Sequence, residues 1–324
     1  LLFKPLVKTM EIYIMKLNKI KLALGFVTAA TLAMPMVASA AADQEKAMKD
    51  ASNWAHPRGQ HDNQAYSKLT QINKGNVKNL KAAWTLSTGV NRGHEGSPVV
   101  VGNMLYVHTA FPNNVYALDL NNNQKVVWSY FPKQDPSVQA VLCCDNVNRG
   151  LGYGDGKIFL QQNDGMLVAL DAKTGAKVWD VRNTDPKVGA TNTNAPHVIK
   201  DKILTGCSGA EFGVRCFIAA YNIADGSLAW KAMSTGSDAD ALIGADFNKD
   251  TPLYSALSVY EDVNGGNKQG GSFKRIPNSQ LKGGTTDLGL KTWLKPQAVK
   301  DGWQHGGGST WGWWPYDAKT NLVY

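Results

Sequence analysis

Cys143 and Cys144 are adjacent, and few residue pairs carry more chemistry. Neighbouring Cα atoms lie ~3.8 Å apart across a trans peptide, below the ~4.4 Å lower end of ordinary disulfides. A bond between them would close a small strained ring, and such strain makes a disulfide labile or functional. The other choice is that each bonds elsewhere, with Cys207 and Cys216 available. Ser208-Gly209-Ala210-Glu211 follows an apolar run ending at Cys207. A glutamate in a turn at a strand end can take a hard cation in bidentate fashion, or serve as a solvated turn acid. Arg149 and Arg215 each offer a planar fork suited to carboxylates, or a plain surface charge. Gly306-Gly307-Gly308 precedes Trp311, Trp313 and Trp314. These glycines let backbone approach something flat, and an indole can stack on it, although core packing is the commoner use of tryptophan. The histidines, His56, His61, His94, His108, His197 and His305, lack HxxxH or comparable zinc spacing.

Something must hold these residues in place, and the sequence repeats itself in a way that could. Trp128, Trp179 and Trp230 are spaced 51 residues apart. Each closes a similar phrase: Ala117-Leu118-Asp119 to Trp128, Ala169-Leu170-Asp171 to Trp179, and Ala219-Ala220-Tyr221-Asn222 to Trp230. Gly175 and Gly226 stand four residues before the second and third tryptophans. A fixed period filled with short apolar runs and turn residues is the signature of a β-propeller blade. Blades pack radially, so a ligand can bind across one end of their shared axis.

Strands are expected at Val99–Val101, Met104–Thr109, Val115–Leu120 and Val126–Phe131, then at Lys157–Gln162, Met166–Asp171 and Ala176–Val181. A third unit has His197–Ile199, Ile203–Cys207, Phe217–Tyr221 and Ser227–Lys231. Asp43–Asn53 reads as a short helix, Leu80–Thr88 as a strand anchored by Trp84, and Tyr316–Tyr324 as a strand pair. From residues 234 to 300 the repeat lapses into Gly, Asn, Asp and Lys, which suggests an insertion folded over one face. The fold class is therefore all-β, an incomplete β-propeller with three or four blades in view.

Residues 1–14 look like upstream sequence without an initiating methionine. Residues 15–40 contain Lys16, Lys19 and Lys21, an apolar run from Leu22 to about Met36, and Ala38-Ser39-Ala40. That order is a secretory signal peptide, and the apolar run is short for spanning ~30 Å of hydrocarbon. Residues 41–324 are the propeller portion. Charged residues make up 19% of the chain, so wholesale disorder is excluded. The formal charge of +8 falls to +4 once the five lysines and one glutamate of residues 1–40 are set aside. That excess is too mild to imply nucleic acid, but it is compatible with steering an acidic partner.

Taken together, these residues resemble the large subunit of the quinoprotein alcohol dehydrogenases, and the methanol dehydrogenases in particular. The resemblance runs from about Asp43 to the last residue. It rests on Gly93-His94-Glu95-Gly96-Ser97-Pro98, on Cys143-Cys144 with Arg149 following, on Ser208-Gly209-Ala210-Glu211, and on Gly306 to Trp313. It implies an eight-bladed propeller that binds pyrroloquinoline quinone (PQQ) near its axis. Cys143 and Cys144 would form a vicinal disulfide on one face of the quinone, with Trp311 on the other. Glu95, Arg149, Thr193, Ser208, Gly209, Ala210 and Ser309 match positions around the cofactor's edge, and Glu211 matches the metal-binding glutamate. The activity implied is hydride transfer from a primary alcohol, methanol foremost, to PQQ, with electrons passing to a periplasmic cytochrome c. A homodimer and a metal ion, calcium or a lanthanide, are implied with it; nucleic acid and a membrane span after leader cleavage are not.

Ser309 stands where many members have threonine, and Cys216 where glycine is usual. The family's asparagine metal ligand, its catalytic aspartate and the aspartate marking lanthanide users would fall after Tyr324, so the chain by itself is expected to be inactive. Tyr260-Glu261-Asp262-Val263-Asn264-Gly265-Gly266 looks more like the lanthanide branch. The competing readings are a PQQ enzyme for larger alcohols and a non-catalytic propeller scaffold, which would need neither the adjacent cysteines nor Glu211.

Overall fold

The computed structural model describes residues 42–236, 260–262, 273–275, 304 and 306–324. The expected upstream extension, the leader at 15–40 and most of the insertion at 234–300 lie outside the described residues. One α-helix, α1 (Ala42–Lys49), opens this region. Three four-stranded antiparallel sheets follow, each laid out in chain order. The first contains β1 (Val99–Val101), β2 (Met104–His108), β3 (Val115–Asp119) and β4 (Lys125–Tyr130). The second contains β5 (Leu151–Gly154), β6 (Lys157–Gln161), β7 (Met166–Asp171) and β8 (Lys177–Arg182). The third contains β9 (His197–Ile199), β10 (Lys202–Thr205), β11 (Phe217–Asn222) and β12 (Leu228–Met233). Two pairs complete the strands: β13 (Tyr260–Asp262) with β14 (Phe273–Arg275), and β15 (Tyr316–Asp317) with β16 (Leu322–Val323).

Alternation along the strands decides which sheets touch. Successive side chains point to opposite faces. Ile158, Leu160, Val168 and Leu170 therefore join Val99, Tyr106, Val115 and Trp128 of the first sheet. Phe159, Leu167 and Ala169 point the other way and join Val198, Ile203, Ala219 and Tyr221 of the third. The middle sheet is buried on both faces, which is why its strands read as continuous apolar runs. Trp314 and Tyr316 then pack with Ile199, Leu204 and Ala220, so β15 begins a layer beyond the third sheet. Exposure grows outward within each sheet: β5 is buried throughout, while β12 is exposed along its length.

The register slips once in each outer ladder, at Ala117/Leu118, Ala169/Leu170 and Ala220/Tyr221. Each slip sits beside the repeat tryptophan, which pairs with Ala117, Ala169 or Ala220. A bulge adds local twist and re-aims a side chain, and here it recurs at every repeat.

Two expectations need correction. Residues 80–88 form no strand, and Trp84 is exposed. A strand exists only when paired, and no described neighbour pairs with this segment. Conversely, β5 went unread because Gly152 and Gly154 weaken the apolar signal of Leu151 and Tyr153. Gly152 is required there, since a Cβ would stand 2.8 Å from the Pro196 carbonyl oxygen.

Candidate functional site

Antiparallel alternation brings particular loops to one end of the sheets. The segments entering β1, β5 and β9 share that end with the β4–β5 and β10–β11 connections. Glu95 precedes β1, Arg149 precedes β5 and Thr193 precedes β9. Ser97 forms a parallel bridge with Gly150, and Arg149 N–H donates to the Thr193 carbonyl at 3.1 Å. Three sheets thus deliver three polar side chains to one place.

Arg149 is the hub. Its Nη2 pairs with the Glu95 carboxylate at 3.1 Å, and its Nη1 donates to Thr193 Oγ1 at 2.6 Å. Its guanidinium carbon lies 4.4 Å from the centre of the Trp311 ring. The Arg149 side chain is 11% exposed and that of Glu95 46%, so solvent screens the ion pair and its contribution to stability is small. Position matters more here than energy. A guanidinium held on three sides presents its remaining donors in a fixed fork.

The β10–β11 connection holds the second group. Cys207 and Cys216 are disulfide-bonded, with Cα atoms 5.5 Å apart and both residues fully buried. Between them, Ser208 pairs with Thr191 through two backbone hydrogen bonds. Gly209 follows at φ 107°, where a Cβ would stand 2.0 Å from the Gly189 carbonyl oxygen, so only glycine fits. The chain then makes a 3₁₀ turn over Ala210–Phe212 that carries Glu211. Ser208 is 1% exposed and its Oγ has no hydrogen-bond partner among the described residues. A buried hydroxyl without a partner is costly, and such atoms mark places where a ligand completes the site.

The sulfurs of Cys143 and Cys144 lie 2.6 Å apart, closer than two non-bonded sulfurs approach, so the pair stands where the vicinal bond implied by the resemblance would form. The alternative pairings are excluded, because Cys207 and Cys216 bond to each other. Burial pushes the Cys143 thiol up to about 12; the Cys144 contact and the Glu211 carboxylate add to this, and Arg149 opposes it.

The remaining candidates fall as follows. Glu211 is exposed and accepts no hydrogen bond among the described residues. Ala210 lies under Gly306, where a Cβ would stand 2.4 Å from the Ala210 carbonyl oxygen. Ser309 is exposed and makes no hydrogen bond among the described residues. Arg215 donates to the Thr235 carbonyl at 3.0 and 2.6 Å. Trp314 is a core residue against His197, and Trp313 faces the same imidazole and lies under Arg58 at 5.6 Å. Among the described residues, no three His, Cys, Asp or Glu side chains cluster as a metal site requires. Thr310 was not singled out in the sequence, yet it bonds to both Cys207 and Phe217. A threonine in Ser309-Thr310-Trp311 carries no local sign of that role.

Residues 54–252 match the family described as glucose/ethanol/alcohol dehydrogenase, β-propeller domain, whose cofactor is PQQ. The chain belongs to the PQQ-dependent alcohol dehydrogenases. The lanthanide-dependent methanol dehydrogenase of Methylorubrum extorquens is 48% identical to it, over 89% of this chain and 43% of the relative. Methanol dehydrogenase [cytochrome c] subunit 1 of the same organism is 45% identical, over 85% of this chain and 40% of the relative. A solved europium-containing methanol dehydrogenase superposes with a TM-score of 0.67 at 42% identity, covering 87% of this chain and 43% of that one. The chain thus spans about two-fifths of the length of these relatives.

The residues of this PQQ-dependent dehydrogenase chain fit the cofactor's chemistry. PQQ is planar and carries three carboxylates. Arg149 and the Ser208 hydroxyl, unpartnered among the described residues, are donors of the kind those carboxylates would need, and the indole of Trp311 is a flat surface faced by the Arg149 guanidinium. Glu211 carries a carboxylate, a hard oxygen donor of the kind calcium and lanthanide ions take.

Proposed function

We propose that this chain is the PQQ-binding portion of a periplasmic enzyme that oxidises a primary alcohol, methanol in the first instance, and passes electrons to cytochrome c. The observation that carries the reading is Arg149 held jointly by Glu95, Thr193 and Trp311 at the end where the sheets converge. The names of the relatives support the substrate and the acceptor: methanol dehydrogenase, and its cytochrome c-linked subunit. The larger assembly, an eight-bladed ring and a homodimer, belongs to the same proposal, as does export through the leader at 15–40. No helix among the described residues is long and apolar enough to cross a membrane.

In this reading Arg149, Thr193, Ser208 and the backbone at Gly209 and Ala210 orient the cofactor's carboxylates and carbonyl oxygens. Glu95 keeps the Arg149 fork turned inward. Trp311 supplies one stacking face, and Cys143 with Cys144 the other. Ser309 adds a hydroxyl at the rim, and Glu211 ligates the metal ion, a lanthanide by preference. When bound, PQQ supplies a two-electron acceptor and the metal a Lewis acid at its edge. The protein's part is to hold those groups in register and to keep bulk water from the stacked faces.

The test is a PQQ titration followed by tryptophan fluorescence. Saturable quenching that W311F largely removes would support the reading, and a chain that binds no PQQ with or without a lanthanide would overturn it.

A further inference from the structure

The connection between β10 and β11 is closed at its base by the Cys207–Cys216 bond, and Thr310 crosses that same base from outside. Thr310 N–H donates to the Cys207 carbonyl at 2.9 Å, and Cys207 N–H donates to Thr310 Oγ1 at 2.9 Å. The same hydroxyl donates to the Phe217 carbonyl at 2.5 Å. One hydroxyl therefore uses its donor and an acceptor lone pair to join both ends of the loop. Its β-branched carbon limits χ1, so the arrangement tolerates little rotation.

The surroundings are shaped for this crossing. A Cβ on Gly206 would stand 1.9 Å from the Thr310 carbonyl oxygen, and one on Gly306 would stand 2.4 Å from that of Ala210. The segment carrying Trp311 thus lies backbone to backbone on the loop carrying Glu211. Within the loop, the amides of Phe212, Gly213 and Val214 bond back to Gly209 and Ala210, so the turn is stiff once its base is fixed.

We propose that Thr310 and the Cys207–Cys216 bond together form a positioning clamp that fixes the Glu211 turn to the Trp311 segment. The acid and the indole then move as one piece. Neither clamp element needs to touch a ligand. Its use in placing a metal ion against PQQ rests on the function proposed above; its existence does not.

The experiment compares the full chain with T310V, T310S and C207A/C216A. Hydrogen exchange without any ligand reads the amides of Phe212, Gly213 and Val214. T310V and the double variant should exchange there about tenfold faster, the effect of losing roughly 1.4 kcal/mol of local stability, and T310S should match the parent. Terbium added with PQQ provides a second readout, since emission sensitised by tryptophan reports the ion's distance from Trp311. That titration should shift about fivefold weaker in T310V and return in T310S.

Parent-like exchange in T310V, or T310S exchanging as fast as T310V, overturns the clamp. If T310V does not fold, C207A/C216A decides by the same criterion. If the parent gives no terbium signal while the amides respond as stated, the clamp stands and the cofactor reading falls.

Discussion

The indole of Trp128 lies directly against Gly175 of the neighbouring sheet, and its Nε1 donates to the Ala172 carbonyl at 3.0 Å. A Cβ on Gly175 would come within 2.6 Å of the ring. Trp179 repeats the relationship one sheet on: it meets Gly226, where a Cβ would approach to 2.7 Å, and donates to the Ile223 carbonyl at 3.3 Å. The tryptophan of one repeat is therefore received by the glycine of the next. G175A adds a positive-φ penalty of ~1–2 kcal/mol to an overpacking cost of ~1–3 kcal/mol. Urea unfolding should show a loss of about 3 kcal/mol, whereas G102A, whose Cβ meets nothing, should lose only about 1 kcal/mol. Equal losses in the two variants would mean that the interlock contributes nothing.

Arg149 should matter to binding more than to folding. Lysine at this position keeps the charge but gives up both the fork and the stacking on Trp311. R149K is expected to weaken PQQ about tenfold to a hundredfold. Its melting temperature should change little, because the partner Glu95 is half-exposed. Calorimetric titration checks the first and thermal unfolding the second; parent-like affinity would remove Arg149 from the site.

Ser208 gives an effect of opposite sign in the empty and loaded states. Its buried Oγ has no partner among the described residues, so S208A should leave the empty chain as stable as the parent or up to about 1 kcal/mol more stable. PQQ affinity should fall about fivefold to tenfold, because a donor to the cofactor is lost. A variant that destabilised the empty chain would show that this hydroxyl serves the fold.

Acid should unfold this region through its buried imidazoles. Burial lowers His197 to about 3 and His108 to about 4, with the nearby charge of His61 adding to the first and that of His94 to the second. His56, which meets the rings of both His197 and His61, is also held well below its ordinary value by burial. A depressed folded value means that the unfolded chain takes up the proton first. Stability is thus whole above about pH 6.5 and is lost as pH falls towards the folded values. H197F removes one such group from the contact with Trp313 and Trp314. Between pH 6.5 and 5 it should lose roughly 2 kcal/mol less than the parent. Parallel unfolding curves across that window would rule His197 out.

Much of the fold was legible because its signals are local. Met166–Asp171 and Val115–Leu120 announce strands through apolar runs bounded by turn residues, and the structure places strands there. The failures are equally physical. Leu151–Gly154 is masked by Gly152 and Gly154, and Gly152 answers to crowding from Pro196, a residue far along the chain. Residues 80–88 had the composition of a strand, but a strand also needs a neighbour.

The site was legible only by type. Glu95, Arg149, Thr193 and Trp311 could be named, yet nothing in their spacing says that one guanidinium touches all the others. That contact follows from antiparallel alternation, which gathers the entries to β1, β5 and β9 at one end. The role of Thr310 is illegible for the same reason, since its partners Cys207 and Phe217 lie 103 and 93 residues away in the chain.

By itself, the sequence determined the repeat, the turns and the glycine–tryptophan spacing, because short-range sterics and side-chain alternation act between near neighbours. Only the tertiary structure decided that Cys207 pairs with Cys216 and that Arg149 lies on Trp311. Those outcomes depend on distances between segments remote in the chain, and such distances exist only once the sheets have packed.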